Sequence, residues 1–299
     1  MKLMDYGVKP IDFQNPGTAS RDAADGLTRR SFVVTSLASG FAVASQPLLA
    51  QAITTDTKGL VAGEVQIPVA GGQIPAYRAM PAKAGKHPVV LVVQEIFGVH
   101  EHIKDMCRRY AKAGYYAIAP EMFARQGDVS KMTDINAILS QVVSKVPDAQ
   151  VCADLDAAVA FAGASGRADT RRVGLVGYCW GGRTAWIYAH HNPKLKAAVA
   201  YYGLLSGMKS DIKPADPVDL AEQIKVPVLG LYAGIDAYIP MEVVDRMRAG
   251  LAKSGSGSEI IVFPNVNHGF NADYRPTYDK GAARYAQQLA FDWLKDHGA

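Results

Sequence analysis

From residue 53 onward, short apolar runs alternate with stretches of helical periodicity, and this alternation predicts a single α/β domain. Two β-patterned segments, 64–69 and 74–80, flank Ala70-Gly71-Gly72-Gln73 and read as an opening antiparallel hairpin. Pro88-Val-Val-Leu-Val-Val-Gln94 is a continuous apolar run, the pattern of a central strand buried on both faces. Further strands are predicted at 115–119, 172–177, 197–202, 228–232 and 259–263. Helices are predicted at 102–114, 135–146, 150–162, 181–191, 241–254 and 277–297. From residue 88 the order is a repeated βαβ, which gives a mostly parallel central sheet with right-handed crossovers and helices on both faces. Reactive groups in such sheets collect at the carboxyl ends of the strands.

The most informative departure from plain periodicity is Gly177-Tyr178-Cys179-Trp180-Gly181-Gly182, between a predicted strand and a predicted helix. It reads as a nucleophile elbow with cysteine in the serine position. A turn this sharp strains its apical residue, and flanking glycines let strand and helix approach closely enough to hold it. The thiol is expected to be presented rather than buried.

Three other reactive side chains follow predicted strands: Glu95 after Gln94, Asp236 after Gly234, and His268 in Asn265-Val-Asn-His268-Gly269-Phe270. The chain order of nucleophile, acid and histidine is that of α/β-hydrolases. A free thiol is mostly protonated at neutral pH, so Cys179 needs a base, and His268 is placed to be that base. Asp236 is expected to fix the imidazole tautomer. The backbone N–H groups of Ile96 and Trp180 are the candidate donors to a developing oxyanion.

Composition narrows the partners more than the fold. The 299 residues are 49% hydrophobic and 20% charged with a net charge of +4, signs interspersed, which offers no basic face for nucleic acid. Three cysteines, Cys107, Cys152 and Cys179, lack the number and spacing of a disulfide framework or zinc ribbon. In His100-Glu101-His102 the histidines are two residues apart and do not share a helical face, so no metal is assigned to them. His190-His191 ends a helix, where imidazolium suits the dipole. No cofactor is called for.

The amino terminus carries an address. Thr28-Arg29-Arg30-Ser31-Phe32-Val33 opens an uncharged, moderately apolar segment that ends in Ala50-Gln51-Ala52, the pattern of a twin-arginine signal. The segment is interrupted by Ser36, Ser39, Gly40, Ser45, Gln46 and Pro47, which is too polar for stable membrane insertion. Residues 1–52 are therefore expected to engage the twin-arginine translocation machinery and be cleaved after Ala52. Residues 53–299 would then act as a periplasmic or secreted domain. Folding before export lets a lone reactive thiol be made in a reducing compartment.

These residues resemble the dienelactone hydrolase family, the carboxymethylenebutenolidases of the α/β-hydrolase fold. Gln94-Glu95-Ile96-Phe97-Gly98-Val99 is similar to its glutamate segment, Gly177 to Gly182 to its cysteine elbow, Gly234-Ile-Asp236 with Pro240 to its acid loop, and His268-Gly269-Phe270 to its histidine loop. The resemblance implies that Glu95 turns toward the cysteine when substrate arrives and helps it lose its proton, the alternative being a carboxylate that caps the next helix or pairs with an arginine. It also implies arginines that grip a substrate carboxylate, one before the nucleophile strand and one just past the histidine. Neither is present at those places. Arg125 and Arg275 are the available stand-ins, the alternative reading of each being a solvated surface charge. The expected activity is hydrolysis of a small ester or lactone through a thioester on Cys179, with Phe97, Tyr202, Phe270 and Arg125 as candidate substrate contacts beside Trp180. The alternatives are a general carboxylesterase on xenobiotic or lipid-derived esters, and a non-catalytic binding or thiol-sensing protein on the same fold.

Overall fold

The computed structural model describes residues 53–299. The twin-arginine segment and the cleavage position after Ala52 lie outside the described residues. Within them, β1 (Leu60–Val69), β2 (Gly72–Pro81), β3 (His87–Val93), β4 (Tyr116–Pro120), β5 (Ala168–Tyr178), β6 (Ala197–Tyr201), β7 (Val228–Ala233) and β8 (Glu259–Phe263) form one sheet in the order β1-β2-β4-β3-β5-β6-β7-β8. β1 and β2 pair antiparallel, β2 meets β4 antiparallel, and every pair from β4 to β8 is parallel.

The apolar runs behave as expected. Residues 89–93 and all of β4, β6 and β7 are buried, whereas the edge strands β1 and β8 alternate or expose one side. The helices Asp148–Ala164 and Trp180–His191 share one side of the sheet. They are tied by Arg183, whose Nη1 and Nη2 donate to the two oxygens of Asp148 at 2.7 and 2.9 Å. On the other side Glu101–Lys112 meets Lys280–Asp296, with the rings of Tyr110 and Phe291 5.0 Å apart. Among the described residues no helix is long and apolar enough to cross a membrane.

Four local expectations are corrected. The hairpin turn is tighter than a four-residue loop, since Val69 already pairs with Gly72. The predicted helix at 135–146 is instead a short α turn (Ile135–Ala137), a π segment (Ile138–Val142) and a 3-10 turn (Val143–Lys145). Its carbonyls find a partner elsewhere: the buried Lys213 Nζ donates to Val143 O and Ser144 O at 3.3 and 3.2 Å, which no local pattern announces. The nucleophile strand begins at Ala168, four residues early. The last helix begins at Lys280, where the Asp279 side chain accepts from Ala282 N.

Candidate active site

The tight turn after β5 places Cys179 at the start of the Trp180–His191 helix with φ 54° and ψ −110°, a left-handed strain tolerated only because its neighbours fix it. Its N–H donates to Tyr201 O at 3.0 Å and its carbonyl accepts from Arg183 N at 3.1 Å. A Cβ on Gly181 would stand 2.3 Å from Val93 O, so the helix start lies directly on the end of β3. That contact sets the end of β3, and the chain that leads on to Glu95 and Ile96, against the elbow. Trp180 is the first helical residue, where backbone N–H groups have no intrahelical acceptor.

The histidine loop after β8 carries His268 to the elbow. Its Nδ1 lies 2.8 Å from Asp236 Oδ2, and Asp236 Oδ1 accepts from Tyr238 N at 2.9 Å. A carboxylate only accepts, so in the neutral imidazole Nδ1 holds the proton and Nε2 is the nitrogen left for Cys179, which stands close enough to His268 to raise its basicity. Burial by itself would lower the basicity of this imidazole. The Asp236 charge and the adjacent Cys179 outweigh it, and His268 is pushed up to about 10 from the ordinary 6.5.

Replacing Asp236 by asparagine should therefore bring His268 back down and cut turnover by roughly 10²–10⁴. The basic limb of Cys179 alkylation by iodoacetamide would move to lower pH, and an unmoved limb would contradict the assignment. The sign for stability follows: a raised imidazole stabilises the fold below about pH 6.5 and the contribution is lost as pH rises through about 10. The asparagine variant should thus lose more stability at pH 6 than at pH 10.

The thiol is less open than its position at the apex suggests. Cys179 retains 3% of its exposure, because His268, Tyr202, Tyr238 and Arg275 stand around it closely enough to interact electrostatically. Glu95 is fully buried at the end of β3. Its Oε1 lies 3.1 Å from Arg275 Nη2, its Oε2 accepts from the Tyr274 hydroxyl, and His100 Nε2 stands 3.7 Å away. Burial would raise this carboxyl, but Arg275, His100 and His102 reverse the effect and hold it well below the usual carboxylate range. The resting Glu95 is an anion, and its partners are Arg275, Tyr274 and His100.

Arg275 is accordingly no surface charge; its side chain is 3% exposed and stacks over Phe97 with 5.1 Å between guanidinium carbon and ring centroid. The Glu95–Arg275 pair is buried on both sides, so Arg275→Met should destabilise the protein by about 3–5 kcal/mol by stranding a charge. Adding Glu95→Gln should recover part of that loss in urea unfolding. A single variant as stable as wild type would show that the pair does not lock the loop.

The remaining candidates are distributed less simply. Phe97 borders Arg275 and His100. Trp180 packs its ring 4.9 Å from Phe123 and contributes its backbone to the elbow. Phe270 belongs to the core rather than to a substrate pocket, its ring 5.0 Å from Phe263 and 5.5 Å from Tyr202. Arg125 is not brought to the thiol either: it pairs with Asp154 in a groove lined by Val69, Gln150 and Ala157. The two histidines near residue 100 are both used, His100 on Glu95 and His102 on Asp273, with Nδ1 to Oδ1 at 3.0 Å. Asp273 Oδ2 also accepts from Arg109 Nη2 at 2.7 Å, which fastens the histidine loop to the Glu101–Lys112 helix. Sequence reasoning passed over Asp273 and Tyr274. Their only signal is a run of three polar residues, Asp273-Tyr274-Arg275, separated from the histidine motif by Asn271 and Ala272.

Residues 74–298 match the model of the dienelactone hydrolase family. The chain belongs to that family. It is 57% identical to the "Putative carboxymethylenebutenolidase" of Methylorubrum extorquens, over 91% of this chain and 94% of that protein. It is 49% identical to the protein of the same name from Escherichia coli strain K12, over 89% of this chain and 98% of that one. The crystal structure of a "Putative Dienelactone Hydrolase" from Klebsiella pneumoniae superposes with a TM-score of 0.77 at 51% identity, covering 79% of this chain and 98% of that chain. The architecture is thus an α/β-hydrolase fold, and this dienelactone hydrolase family member is a hydrolase acting on ester bonds.

Proposed function

We propose that this enzyme opens a small ester or lactone by a Cys179–His268–Asp236 triad through a thioester. The observation that carries the reading is the single imidazole that hydrogen-bonds Asp236 and stands beside Cys179, next to the first amides of a helix. Cys179 gives its proton to His268 Nε2, where Asp236 and the sulfur charge together favour the imidazolium that results, and the sulfur attacks the carbonyl carbon. The carbonyl oxygen gathers charge between the N–H groups of Ile96 and Trp180. The leaving oxygen departs with the proton from His268, and water then repeats the sequence in reverse on the thioester, freeing the acid and restoring the thiol.

In this reading Arg275 keeps Glu95 engaged away from Cys179 until substrate arrives. While Arg275, Tyr274 and His100 hold Glu95, its carboxylate is engaged elsewhere. A substrate bearing its own carboxylate competes for Arg275 and frees Glu95 to assist the thiol. The preferred substrates are therefore small esters or lactones carrying a carboxylate, and Arg275 stands in for the arginines missing from their usual places. The Thr28 to Ala52 pattern supports export of the domain by the twin-arginine route.

Rapid-quench intact-mass measurement during turnover tests the chemistry. An acyl mass on the Cys179 peptide, larger in amplitude for carboxylate-bearing esters than for their neutral methyl-ester counterparts, is the expected result. Turnover with the acyl group on another residue, or with none, would remove the thioester step. Equal rates for the two substrate types would assign the general carboxylesterase reading.

A further inference from the structure

Among the described residues, the non-glycine positions with positive φ are Cys179 at 54° and Tyr202 at 37°. The first is the nucleophile of the proposed reaction. The second closes β6, the strand next to the elbow, and its strain is enforced from outside. Tyr202 N donates to Leu231 O at 2.8 Å. Beyond it, a relay from Trp186 Nε1 to the Tyr232 hydroxyl and from that hydroxyl to Gly203 O, each step 3.0 Å, pins the following carbonyl. Backbone strain held this firmly is unfavourable and is found where a side chain must be aimed.

Tyr202 is aimed into the site. Its ring centroid lies 5.0 Å from that of His268 and 5.5 Å from that of Phe270, and the residue is wholly buried. Its hydroxyl is within electrostatic reach of Glu95, Arg275, Tyr274 and Cys179, yet it has no hydrogen-bond partner among the described residues. A buried donor without an acceptor is unfavourable, so its retention calls for an acceptor that arrives with the reaction. Burial also raises the phenol well above its ordinary value near 10, so it stays protonated and acts as a donor.

Two oxygens of an ester could be that acceptor. In the proposed reaction the carbonyl oxygen is directed toward the helix start, where the amide of Trp180 lies. The leaving oxygen must sit beside the imidazole that protonates it, and Tyr202 packs against that imidazole. We therefore propose that Tyr202 is a further catalytic residue whose hydroxyl donates to the leaving oxygen during acylation and to the attacking water oxygen during deacylation. The hydroxyl moves no proton. The C–O bond breaks as the S–C bond forms, and the proton that left Cys179 reaches the leaving oxygen from His268 while Tyr202 shares the charge building there. The proposal rests on the Cys179–His268 reading above and adds a group that stabilises the departing atom.

The test is kcat/KM for wild type and Tyr202→Phe on phenyl acetates whose leaving phenols run from strongly to weakly acidic. Loss of a donor to a charged oxygen should slow the least acidic leaving groups by about 10–100-fold and leave the most acidic nearly unchanged, so the leaving-group dependence steepens. Because the hydroxyl has no resting acceptor, Tyr202→Phe should unfold at the same temperature as wild type or higher. The same position carrying 3-fluorotyrosine, a more acidic donor of similar size, should make the dependence shallower. Equal slowing of every ester, or a lowered unfolding midpoint in Tyr202→Phe, would overturn the proposal. An acyl mass missing from both proteins would overturn only the thioester step, since the slope reports on the leaving oxygen whatever the nucleophile.

Discussion

Cys179→Ala is expected to lower turnover of any ester substrate by about 10⁴-fold or more, to the level that oriented binding and the backbone donors alone sustain. The argument is one of position. His268 and Asp236 are wired together behind a single thiol. Cys107 and Cys152, the other cysteines, are buried in helices remote from the elbow, and burial pushes the Cys152 thiol up to about 12. Neither can take over. Cys179→Ser should recover little, since an oxygen nucleophile needs stronger base assistance than a thiol. Turnover in the alanine variant within tenfold of wild type would reassign the site.

The largest expected effect on folding comes from a single methyl group. In Gly177→Ala the new Cβ would lie 1.8 Å from Gly181 O and 2.3 Å from Gly181 C, and in Gly181→Ala it would lie 2.3 Å from Val93 O. All of these neighbours are backbone and cannot rotate aside. Ordinary overpacking costs about 1–3 kcal/mol because side chains give way, so either variant should exceed that range or open the elbow and lose activity with a partly retained fold. Gly63→Ala, with nothing within 4 Å of its Cβ, is the control and should stay close to wild type. Urea unfolding of the three variants separates the cases. A Gly177→Ala protein as stable and active as the control would mean that strand and helix do not meet at the elbow as described.

Much of this arrangement was legible along the chain because it is local. A strand covered on both faces must be apolar throughout, so residues 88–94 and 228–232 announce themselves. Parallel connection then obliges the residues after each strand to share one rim. The elbow was readable because only glycine fits where backbones nearly touch. The stretch at 135–146 was misread because its end is governed by Lys213, distant in the chain.

The α/β alternation, the strand ends that carry Glu95, Cys179, Asp236 and His268, and the glycine spacing that lets a thiol stand at a turn all follow from residue order along the chain. That Arg275 is buried against Glu95 rather than solvated, that Arg125 goes to Asp154, that Phe270 packs in the core, and that the Tyr202 hydroxyl lies near the site without an acceptor among the described residues all depend on contacts made across the fold. The physical reason is the range of the forces. Hydrophobic periodicity and backbone sterics act between neighbours in sequence. A charge or a hydroxyl is satisfied by whatever group the fold places within about 3 Å of it, and Glu95 and Arg275, 180 residues apart, meet only when the sheet has closed.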